Sequence, residues 1–535
     1  MAPSLIHTTT TDSYNSEGTL SNCRDGVIPS PSAFDTGSTI PLWLNGEQVE
    51  LSETFDVISP QNQKVLYKCS SASETDVERA VASAQEAFKA WSQTKPNFRR
   101  DIFLRAADIF EKRMQELGHY SQTETGALPS MFSLEHGLAA DACRSVAGLI
   151  QIATASSVLN PAEHGSNAIT VKQPYGVVLA ISPWNVPNVL ALRACLQPLA
   201  MGNTVVHKGP ELAPATHWGV VSVLHEAGLP AGCLNTIYHR PADAGKITSA
   251  LIAHPAIKKI NFTGSTSVGA IIASQAGKYL KPTVMELGGK APSIVCEDAN
   301  IPYAAQQCAL GALLHAGQIC MSTERIIVHV RIADQFRAAL KDTIDEIFTE
   351  KGIGAPRLVS LPAVNKTNAL VADALSKGAT ALCGGPAANT ANNDVVTDRA
   401  VDTKLAPTVL QDVAPGMDIY YTESFGPTVS LYVVDSDDEA IRLANDTQHG
   451  LSSAVFTEDL RRGLGIAKKI ETGAVHINSM TVHDEPALPH GGVKASGWGR
   501  FNGLQGLEEW VFTQVVTWKD RDYYAGKNIA SYMKW

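Results

Sequence analysis

The sequence predicts an α/β protein with two doubly wound domains and a small β extension. Short apolar runs, YGVVLAIS, NTVVHK, LNTIY and KKINF, alternate with helical stretches between residues 175 and 287. A second series runs from APSIVC through RIIVHV and TVSLYVV to GAVHIN. Strands that alternate with helices indicate a parallel sheet, whose ligands bind beyond the carboxyl ends of the strands. We therefore expect the functional cleft between the two series, near residue 288.

The region before the first series, residues 41–155, is predicted to open with a hairpin and to continue as helices. Alternating apolar residues flank Asn45-Gly46, which is a two-residue turn signal. Farther along, Ser73 and Asp76 can form a helix cap, and apolar residues recur at helical spacing as far as Trp91. Residues 1–40 are rich in Ser and Thr and lack an apolar core segment, which predicts a flexible N-terminal arm.

Composition restricts the class of partner. At 535 residues the chain is longer than the ~250 to 300 residues at which a single hydrophobic core stops growing, which agrees with two domains. A net charge of −10 gives no basic surface for nucleic acid or acidic lipid, and no apolar run approaches the ~18 residues of a membrane helix. The nine cysteines lack metal spacing, and residues 1–40 lack the features of a signal or transit peptide. We therefore expect a cytoplasmic protein with reduced thiols, a small-molecule partner and no metal site.

The first series contains a turn that suits a phosphate. In KKINFTGSTSVGAIIASQAG a strand leads through Gly264 and Gly269 into a helix, whose N-terminal N–H groups and Ser265 could bind an anion. The spacing is GxxxxG rather than GxGxxG, so an ordinary glycine-bounded turn is the alternative. Lys208 and Glu211 follow another strand. The carboxylate could bind ribose hydroxyls and repel a 2′-phosphate, or the two residues could lie in a solvated loop.

Cys320, in LLHAGQICMSTER, is the candidate nucleophile. The preceding segment has helical spacing and Gly317 suits a helix end, so the helix dipole would oppose ionisation of the thiol. A base or a nearby cation is therefore needed. Glu286, in TVMELGGK, is a carboxylate in an apolar context, where burial is expected to raise its pKa toward neutrality. His315 is the alternative base, and it would indicate a Cys-His hydrolase.

Asn185, in SPWNVP, follows the first strand of the series and lies between two prolines that stiffen the turn. A fixed amide is a good hydrogen-bond donor for a developing oxyanion. The alternative interpretation is an Asx turn at the end of the strand.

Together these motifs resemble those of the aldehyde dehydrogenase superfamily, from residue 41 to about 520. The matching segments, in the family's order, are SPWNVP, KGPE, FTGSTSVG, MELGGK, GQIC, ESFGP, ANDTQHGLSSAVFT and PHGGVKASGWGR. The resemblance implies that Cys320 is the nucleophile, Glu286 the general base and Asn185 the oxyanion donor, beside the backbone N–H of Cys320. It also implies an NAD site that comprises Ser182, Trp184, Lys208, Glu211, Gly264, Ser265, Gly269, Glu423 and Phe425.

The resemblance further implies a reaction and a domain organisation. The thiolate attacks an aldehyde, the adduct gives hydride to NAD⁺, and water activated by Glu286 hydrolyses the thioester. Because the family's acylating members generally lack this base, Glu286 favours a free acid over transfer to coenzyme A. Residues 41–155 and 175–287 would form the NAD-binding domain and residues 288–506 the catalytic domain. Residues 156–174 and 507–535 would be oligomerisation strands, which predicts a homodimer or homotetramer.

Three positions depart from the common family pattern. His315 stands where relatives often carry Asn, and His490 stands where they often carry Phe, in the wall of the substrate pocket. Arg193 replaces an aromatic residue, and PWNxPxxxxxRA is similar to the salicylaldehyde, benzaldehyde and vanillin dehydrogenase branch. An Arg there could pair with a ring hydroxyl or stabilise the tetrahedral state, or it could simply bind a carboxylate. The resemblance thus favours an aromatic or bulky apolar aldehyde.

Two other functions remain open at this level. A semialdehyde or betaine aldehyde dehydrogenase is also compatible with PHGG, and a polar, charged pocket would favour it. Outside enzymes, the alternative is a catalytically silent structural protein on the same scaffold, since fold does not fix function. The joint presence of Cys320, Glu286 and Asn185 argues against that alternative.

Overall fold

The structure, a computed structural model, describes residues 34, 37–348, 354–385 and 403–520. Most of the predicted arm, residues 1–40, and the end of the segment 507–535 therefore lie outside the described residues. Within the described ranges, no helix is long and apolar enough to cross a membrane.

Strands and helices alternate over most of the described chain. The strands are β1 (Thr39–Ile40), β2 (Leu42–Leu44), β3 (Glu47–Val49), β4 (Thr54–Ile58), β5 (Val65–Ser70), β6 (Ser157–Leu159), β7 (Ser166–Pro174), β8 (Val177–Ile181), β9 (Thr204–Lys208), β10 (Leu234–Ile237), β11 (Ile257–Thr263), β12 (Thr283–Glu286), β13 (Ala291–Val295), β14 (Thr323–His329), β15 (Thr380–Cys383), β16 (Thr408–Gln411), β17 (Thr428–Val434), β18 (Ser452–Phe456), β19 (Ala474–Ile477), β20 (Gly497–Trp498) and β21 (Val511–Lys519). The α-helices are α1 (Glu74–Trp91), α2 (Pro96–Lys112), α3 (Met114–Thr125), α4 (Pro129–Ala153), α5 (Pro187–Ala200), α6 (Pro214–Glu226), α7 (Ala244–Ala253), α8 (Thr266–Lys278), α9 (Ile301–Leu313), α10 (Ala333–Ile347), α11 (Leu361–Ser376), α12 (Asp418–Tyr421), α13 (Asp437–Asn445), α14 (Leu460–Ala467) and α15 (Gly503–Glu508).

An eight-stranded sheet forms the centre of the first α/β region, with strand order β20-β12-β11-β8-β9-β10-β2-β3. The five central strands from β12 to β10 run parallel, whereas β20, β2 and β3 pair antiparallel at the edges. Strands β8, β9 and β10 are buried along their whole length, which explains why the sequence shows continuous apolar runs there.

A seven-stranded sheet forms the second α/β region, in the order β15-β16-β17-β14-β13-β18-β19. All of its pairs are parallel except β15 with β16. The predicted fold, with two α/β regions built on parallel sheets, is therefore confirmed. The residue boundaries assigned to the two domains stay a prediction.

The turn and cap signals near the start of the chain are also confirmed. Asn45 and Gly46 have φ angles of 54° and 77° between β2 and β3, as a hairpin of this type requires. Ser73 and Asp76 form a reciprocal capping box at the start of α1. The helical interpretation of residues 41–155 missed the three-stranded sheet β1-β5-β4.

A second three-stranded sheet, β21-β7-β6, corresponds to the predicted β extension. Strand β21 pairs antiparallel with β7 over nine residues, from Val511 opposite Pro174 to Lys519 opposite Ser166. Strand β21 is exposed along most of its length, including the apolar side chains of Val515 and Trp518.

Candidate active site

A cavity of about 220 Å³ receives side chains from both α/β regions. Strands β8, β11 and β12 run parallel, so the residues that follow them lie at one edge of the eight-stranded sheet. The second region contributes the residues that precede β14 and β17. The predicted residues that line the cavity are Trp184, Asn185, Gly264, Ser265, Glu286, Cys320, Glu423 and Phe425.

The segment before Cys320 differs from the sequence prediction. Helix α9 ends at Leu313 rather than at Gly317, because a 3-10 turn with non-helical residues follows it; His315 there has φ 50°. Gly317 has φ 73°, and a Cβ there would lie 2.1 Å from the carbonyl oxygen of Gly426. The thiol therefore does not directly follow the C-terminus of an α-helix. The expected effect of a helix dipole on its ionisation does not apply, and other groups set the pKa of the thiol.

The thiol of Cys320 contacts the carboxylate of Glu286. Sγ lies 2.8 Å from Oε1, at hydrogen-bond distance. Burial raises the pKa of the Cys320 thiol well above its ordinary value, and the charges of Glu286 and Glu423 raise it further, whereas Arg193 opposes them. Without bound ligands, the thiol is therefore protonated and donates to the carboxylate.

The pKa of Glu286 moves in the opposite direction from the sequence expectation. The side chain is only 1% exposed, and burial alone would raise its pKa. His490 Nε2 lies 3.7 Å from Oε1 and Arg193 Nη1 lies 3.9 Å from Oε2. Together they outweigh burial and hold the pKa of Glu286 below its usual value. The expectation of a raised pKa was wrong, because it considered burial without these neighbours.

Asn185 is positioned by the cysteine segment itself. Its buried side chain donates from Nδ2 to the carbonyl oxygen of Gln318 at 2.9 Å. The Gln318 side chain donates to the carbonyl oxygen of His315 at 3.1 Å and accepts from the N–H of Val359 at 2.9 Å. An amide nitrogen carries two hydrogens, so Asn185 can still donate into the cavity.

Arg193 and His490 surround Glu286 but do not line the cavity of Cys320. The guanidinium of Arg193 is bound to Asp484 and lies 5.7 Å from the centre of the Phe501 ring. The alternative interpretation of Arg193, an Arg bound to a carboxylate, therefore describes its main contact. Contact with a substrate ring hydroxyl stays a prediction.

Glu423 and Phe425 form part of the cavity wall, and each makes a specific contact with a neighbouring residue. Oε1 of Glu423 accepts from the N–H of Gly289 at 2.8 Å. Burial raises the pKa of Glu423 to about 7. The Phe425 ring meets the Trp184 ring edge-on, with centroids 5.9 Å apart.

Four of the residues assigned to coenzyme binding lie away from this cavity. Lys208 Nζ is 3.0 Å from Glu211 Oε1, and His239 Nδ1 is 3.4 Å from the same oxygen. Although burial opposes it, the charge of Lys208 lowers the pKa of Glu211, which is therefore an ionised carboxylate beyond the end of β9.

The other two of these four residues, Ser182 and Gly269, make structural contacts instead of lining the cavity. The hydroxyl of Ser182 lies 2.7 Å from Nε2 of buried His207 rather than in the cavity. Gly269 lies within α8, where a Cβ would approach the side chain of Leu287 to 2.4 Å, so this glycine serves close packing. Gly264 and Ser265 precede α8 and do line the cavity.

His315 is not the partner of the thiol. Its side chain lines a different cavity, together with Leu128 and Arg357. Burial lowers the pKa of His315 to about 4, so it is neutral near pH 7. The structure therefore gives no support to the Cys-His alternative.

Sequence reasoning missed five residues of the cavity wall. Leu190 and Pro183 extend the apolar surface, Thr263 ends β11, and Gly288 and Lys366 face Glu423. Gly288 follows Glu286 in ELGGK, and a Cβ there would lie 2.5 Å from Glu423 Oε2, a contact that only the structure shows. Lys366 gave no signal, because an exposed lysine on a helix such as α11 is typical of any protein surface.

Comparison with known proteins identifies this arrangement. The model of the aldehyde dehydrogenase family matches residues 43–516. The chain belongs to the aldehyde dehydrogenase family. It is therefore an aldehyde-oxidising oxidoreductase, and the silent structural alternative is set aside.

Individual relatives show how far the likeness extends. A vanillin dehydrogenase of Pseudomonas fluorescens is 40% identical over 486 residues, which cover 89% of this chain and 97% of that protein. A salicylaldehyde dehydrogenase of Pseudomonas putida G7, solved with salicylaldehyde, has a TM-score of 0.86 and 36% identity, and the match covers 90% of this chain and 98% of that one. A betaine aldehyde dehydrogenase of Staphylococcus aureus, solved with NAD⁺, has a TM-score of 0.83 and 30% identity over 90% of this chain and 95% of that one.

Family membership implies a nicotinamide coenzyme, NAD or NADP, and the cavity fits one. The start of α8 at Ser265 presents unpaired backbone N–H groups, which suit a diphosphate. Glu423, which lines the same cavity, offers a carboxylate for ribose hydroxyls. Cys320 and Glu286 also line this cavity.

We predict that Glu286→Gln lowers the pKa of the Cys320 thiol, because a neutral amide removes the charge that opposes thiolate formation. Alkylation by iodoacetamide, followed against pH without coenzyme, should reach half-maximal rate at a lower pH than in the wild type. Cys320→Ala supplies the background rate. An unchanged or higher midpoint would show that Glu286 does not control the thiol.

Proposed function

We propose that this chain oxidises an aromatic or bulky apolar aldehyde to its carboxylic acid with NAD⁺, through a thioester on Cys320. The observation that carries the proposal is the 2.8 Å contact between the Cys320 thiol and the Glu286 carboxylate, on the wall of a cavity that fits the coenzyme. Asn185 lines the same cavity. A nucleophile, a base and an amide donor thus face one space.

The residues can be assigned roles in the order of the reaction steps. Glu286 accepts the proton of the thiol, whose sulfur attacks the carbonyl carbon, and the carbonyl oxygen becomes an oxyanion. Nδ2 of Asn185 and the backbone N–H of Cys320 donate to that oxyanion. When bound, NAD⁺ supplies the acceptor for the hydride and a positive charge that favours the thiolate. Glu286 releases the first proton to solvent and then takes one from the water that attacks the thioester. The adduct expels the sulfur, which regains a proton from Glu286 as the acid leaves.

Glu211 supports NAD rather than NADP. Its carboxylate is held ionised by Lys208, beyond the strand end where an adenosine ribose lies in doubly wound sheets. A carboxylate can accept hydrogen bonds from both ribose hydroxyls but repels a 2′-phosphate.

An apolar cluster beside Cys320 supports a bulky apolar substrate. Buried Met131, Ile319 and Val482 belong to this cluster, and Cys320 and Leu314 pack against it. The vanillin and salicylaldehyde dehydrogenases among the relatives agree with an aromatic substrate. The betaine aldehyde or semialdehyde alternative would be favoured by a polar pocket, and Arg193, the cation beside Glu286, is paired with Asp484.

We also propose that the chain forms a homodimer or homotetramer through the sheet β21-β7-β6. Val158, Val515 and Trp518 are 82%, 59% and 47% exposed on this sheet. An edge strand as long as β21, with exposed apolar side chains, is suited to pairing with another chain.

Substrate class is tested with a panel of benzaldehyde, vanillin, betaine aldehyde, succinate semialdehyde and propanal, with NADH appearance as the readout. The aromatic aldehydes should have the highest kcat/KM, and Cys320→Ala should lower turnover by about 10⁴-fold or more while NAD⁺ still binds. Arg193→Met reports on ring recognition through the ratio of aromatic to aliphatic kcat/KM. Preference for betaine aldehyde would support the alternative, and substantial turnover by Cys320→Ala would remove this thiol from the mechanism.

We predict that Glu211→Ala improves kcat/KM for NADP⁺ relative to NAD⁺ by at least about tenfold, since removing a like charge relieves repulsion and leaves Lys208 to attract the phosphate. Coenzyme kinetics at saturating aldehyde measure the ratio. Glu78→Ala, an exposed carboxylate on α1, is the matched control. If the ratio stays constant, Glu211 does not contact the ribose.

For association, size-exclusion chromatography should show a species larger than the monomer. Val515→Glu should shift the protein toward the monomer, because a charge on this exposed strand opposes pairing. Val330→Glu introduces the same charge at another exposed valine, 53% accessible, and should leave the elution volume unchanged. A wild type that elutes only as a monomer would contradict the proposal.

A further inference from the structure

The loop 422–425 brings Glu423 and Phe425 to the wall of the proposed coenzyme cavity. Phe425 has a φ of +52°, in the left-handed region that bulky residues rarely adopt. A strained conformation of this kind persists only when surrounding contacts impose it. The loop must therefore be fixed by groups outside itself.

A buried ion pair makes contacts of that kind. Lys290 Nζ lies 2.6 Å from Glu324 Oε2, and the two side chains are 0% and 4% exposed. Lys290 Nζ also donates to the carbonyl oxygen of Thr422 at 2.8 Å. The other carboxylate oxygen, Glu324 Oε1, accepts from the N–H and the hydroxyl of Ser424, both at 2.8 Å, and from the N–H of Phe425 at 3.2 Å.

The segment 288–290, which contains Lys290, also binds Glu423, the remaining residue of the loop. Glu423 Oε1 accepts from the N–H of Gly289, which precedes Lys290. The carbonyl oxygen of Gly288 lies 3.0 Å from His449 Nδ1 and accepts from the Ser496 hydroxyl at 2.6 Å. Each residue from 422 to 425 is thus bonded to the 288–290 segment or to Glu324.

We propose that the Lys290–Glu324 pair is a positioning pair that holds the loop 422–425 in the conformation that binds the coenzyme. Neither residue lines the cavity, so both act through Glu423 and Phe425. A buried ion pair loses its hydration and is often no more stabilising than apolar residues of similar size. Its value here is that it gives the loop one backbone conformation. The inference rests on the proposed coenzyme site.

The test replaces the pair with apolar residues and measures the Kd of NADH by its fluorescence. Lys290→Met with Glu324→Leu removes both charges without leaving either one unpaired, but it also removes the acceptor for Ser424 and Phe425. The Kd should rise about tenfold, because only a fraction of the molecules would retain the competent loop. Lys290→Met with Glu324→Gln keeps one acceptor oxygen and should stay within about threefold of the wild type.

A matched control separates positioning from general stability. Lys259, 4% exposed, pairs with Glu509 Oε2 at 3.2 Å outside the cavity, and Lys259→Met should lower the Tm without changing the Kd of NADH. The KM for NAD⁺ should rise in the Met/Leu variant while the KM for the aldehyde stays constant. If the Met/Leu variant does not fold, Ser424→Ala, which removes one donor to Glu324, should raise the Kd two- to threefold at an unchanged Tm.

The outcomes separate this inference from the function on which it rests. A Met/Leu variant, or in its place Ser424→Ala, that binds NADH as tightly as the wild type overturns the positioning role. Equal losses in the Gln and Leu double variants overturn the role of the acceptor oxygen. Failure of the wild type itself to bind NADH would instead remove the proposed coenzyme site.

Discussion

The contact between Cys320 and Glu286 depends on two backbone segments that approach within van der Waals distance. A Cβ on Gly289 would lie 2.2 Å from the carbonyl oxygen of Cys320, so only glycine permits this approach. The neighbouring Gly288 meets the Glu423 carboxylate in the same way. The glycines after Glu286 therefore set the distance between the carboxylate on the eight-stranded sheet and the thiol of the second region. Any side chain there would separate the two reacting groups.

The two carboxylates of the cavity have opposite electrostatic surroundings. Burial raises the pKa of Glu423 to about 7, whereas His490 and Arg193 hold the pKa of Glu286 low although burial alone would raise it. A carboxylate that remains ionised can accept a proton from a thiol or from water. The same negative charge raises the pKa of the Cys320 thiol. These surroundings keep the Cys320 thiol protonated, and a cationic ring bound nearby would favour the thiolate.

Membership of the aldehyde dehydrogenase family explains why the site is assembled from distant segments. Asn185 follows β8 and Glu286 ends β12, both at the carboxyl edge of the eight-stranded sheet, whereas Cys320 precedes the amino end of β14 in the second sheet. Parallel strands bring their carboxyl ends to one edge, and connecting segments there can vary without disturbing the sheet. The pairing of Arg193 with Asp484 is an addition to this framework. It places a cation beside the base without exposing it to the cavity of the thiol.

Local sequence determined what depends on near neighbours along the chain. Apolar runs indicated the central strands, Asn45-Gly46 indicated the hairpin, and Ser73 with Asp76 indicated the cap, because these signals act over a few residues. The order of the family motifs predicted roles for Cys320, Glu286 and Asn185, which the structure brings to one cavity. Tertiary structure alone decided the sign of the pKa shift of Glu286, the partner of Arg193 and the presence of Lys366 in the wall. These depend on groups brought together from distant positions of the chain, and electrostatic interaction follows distance in space rather than distance in sequence.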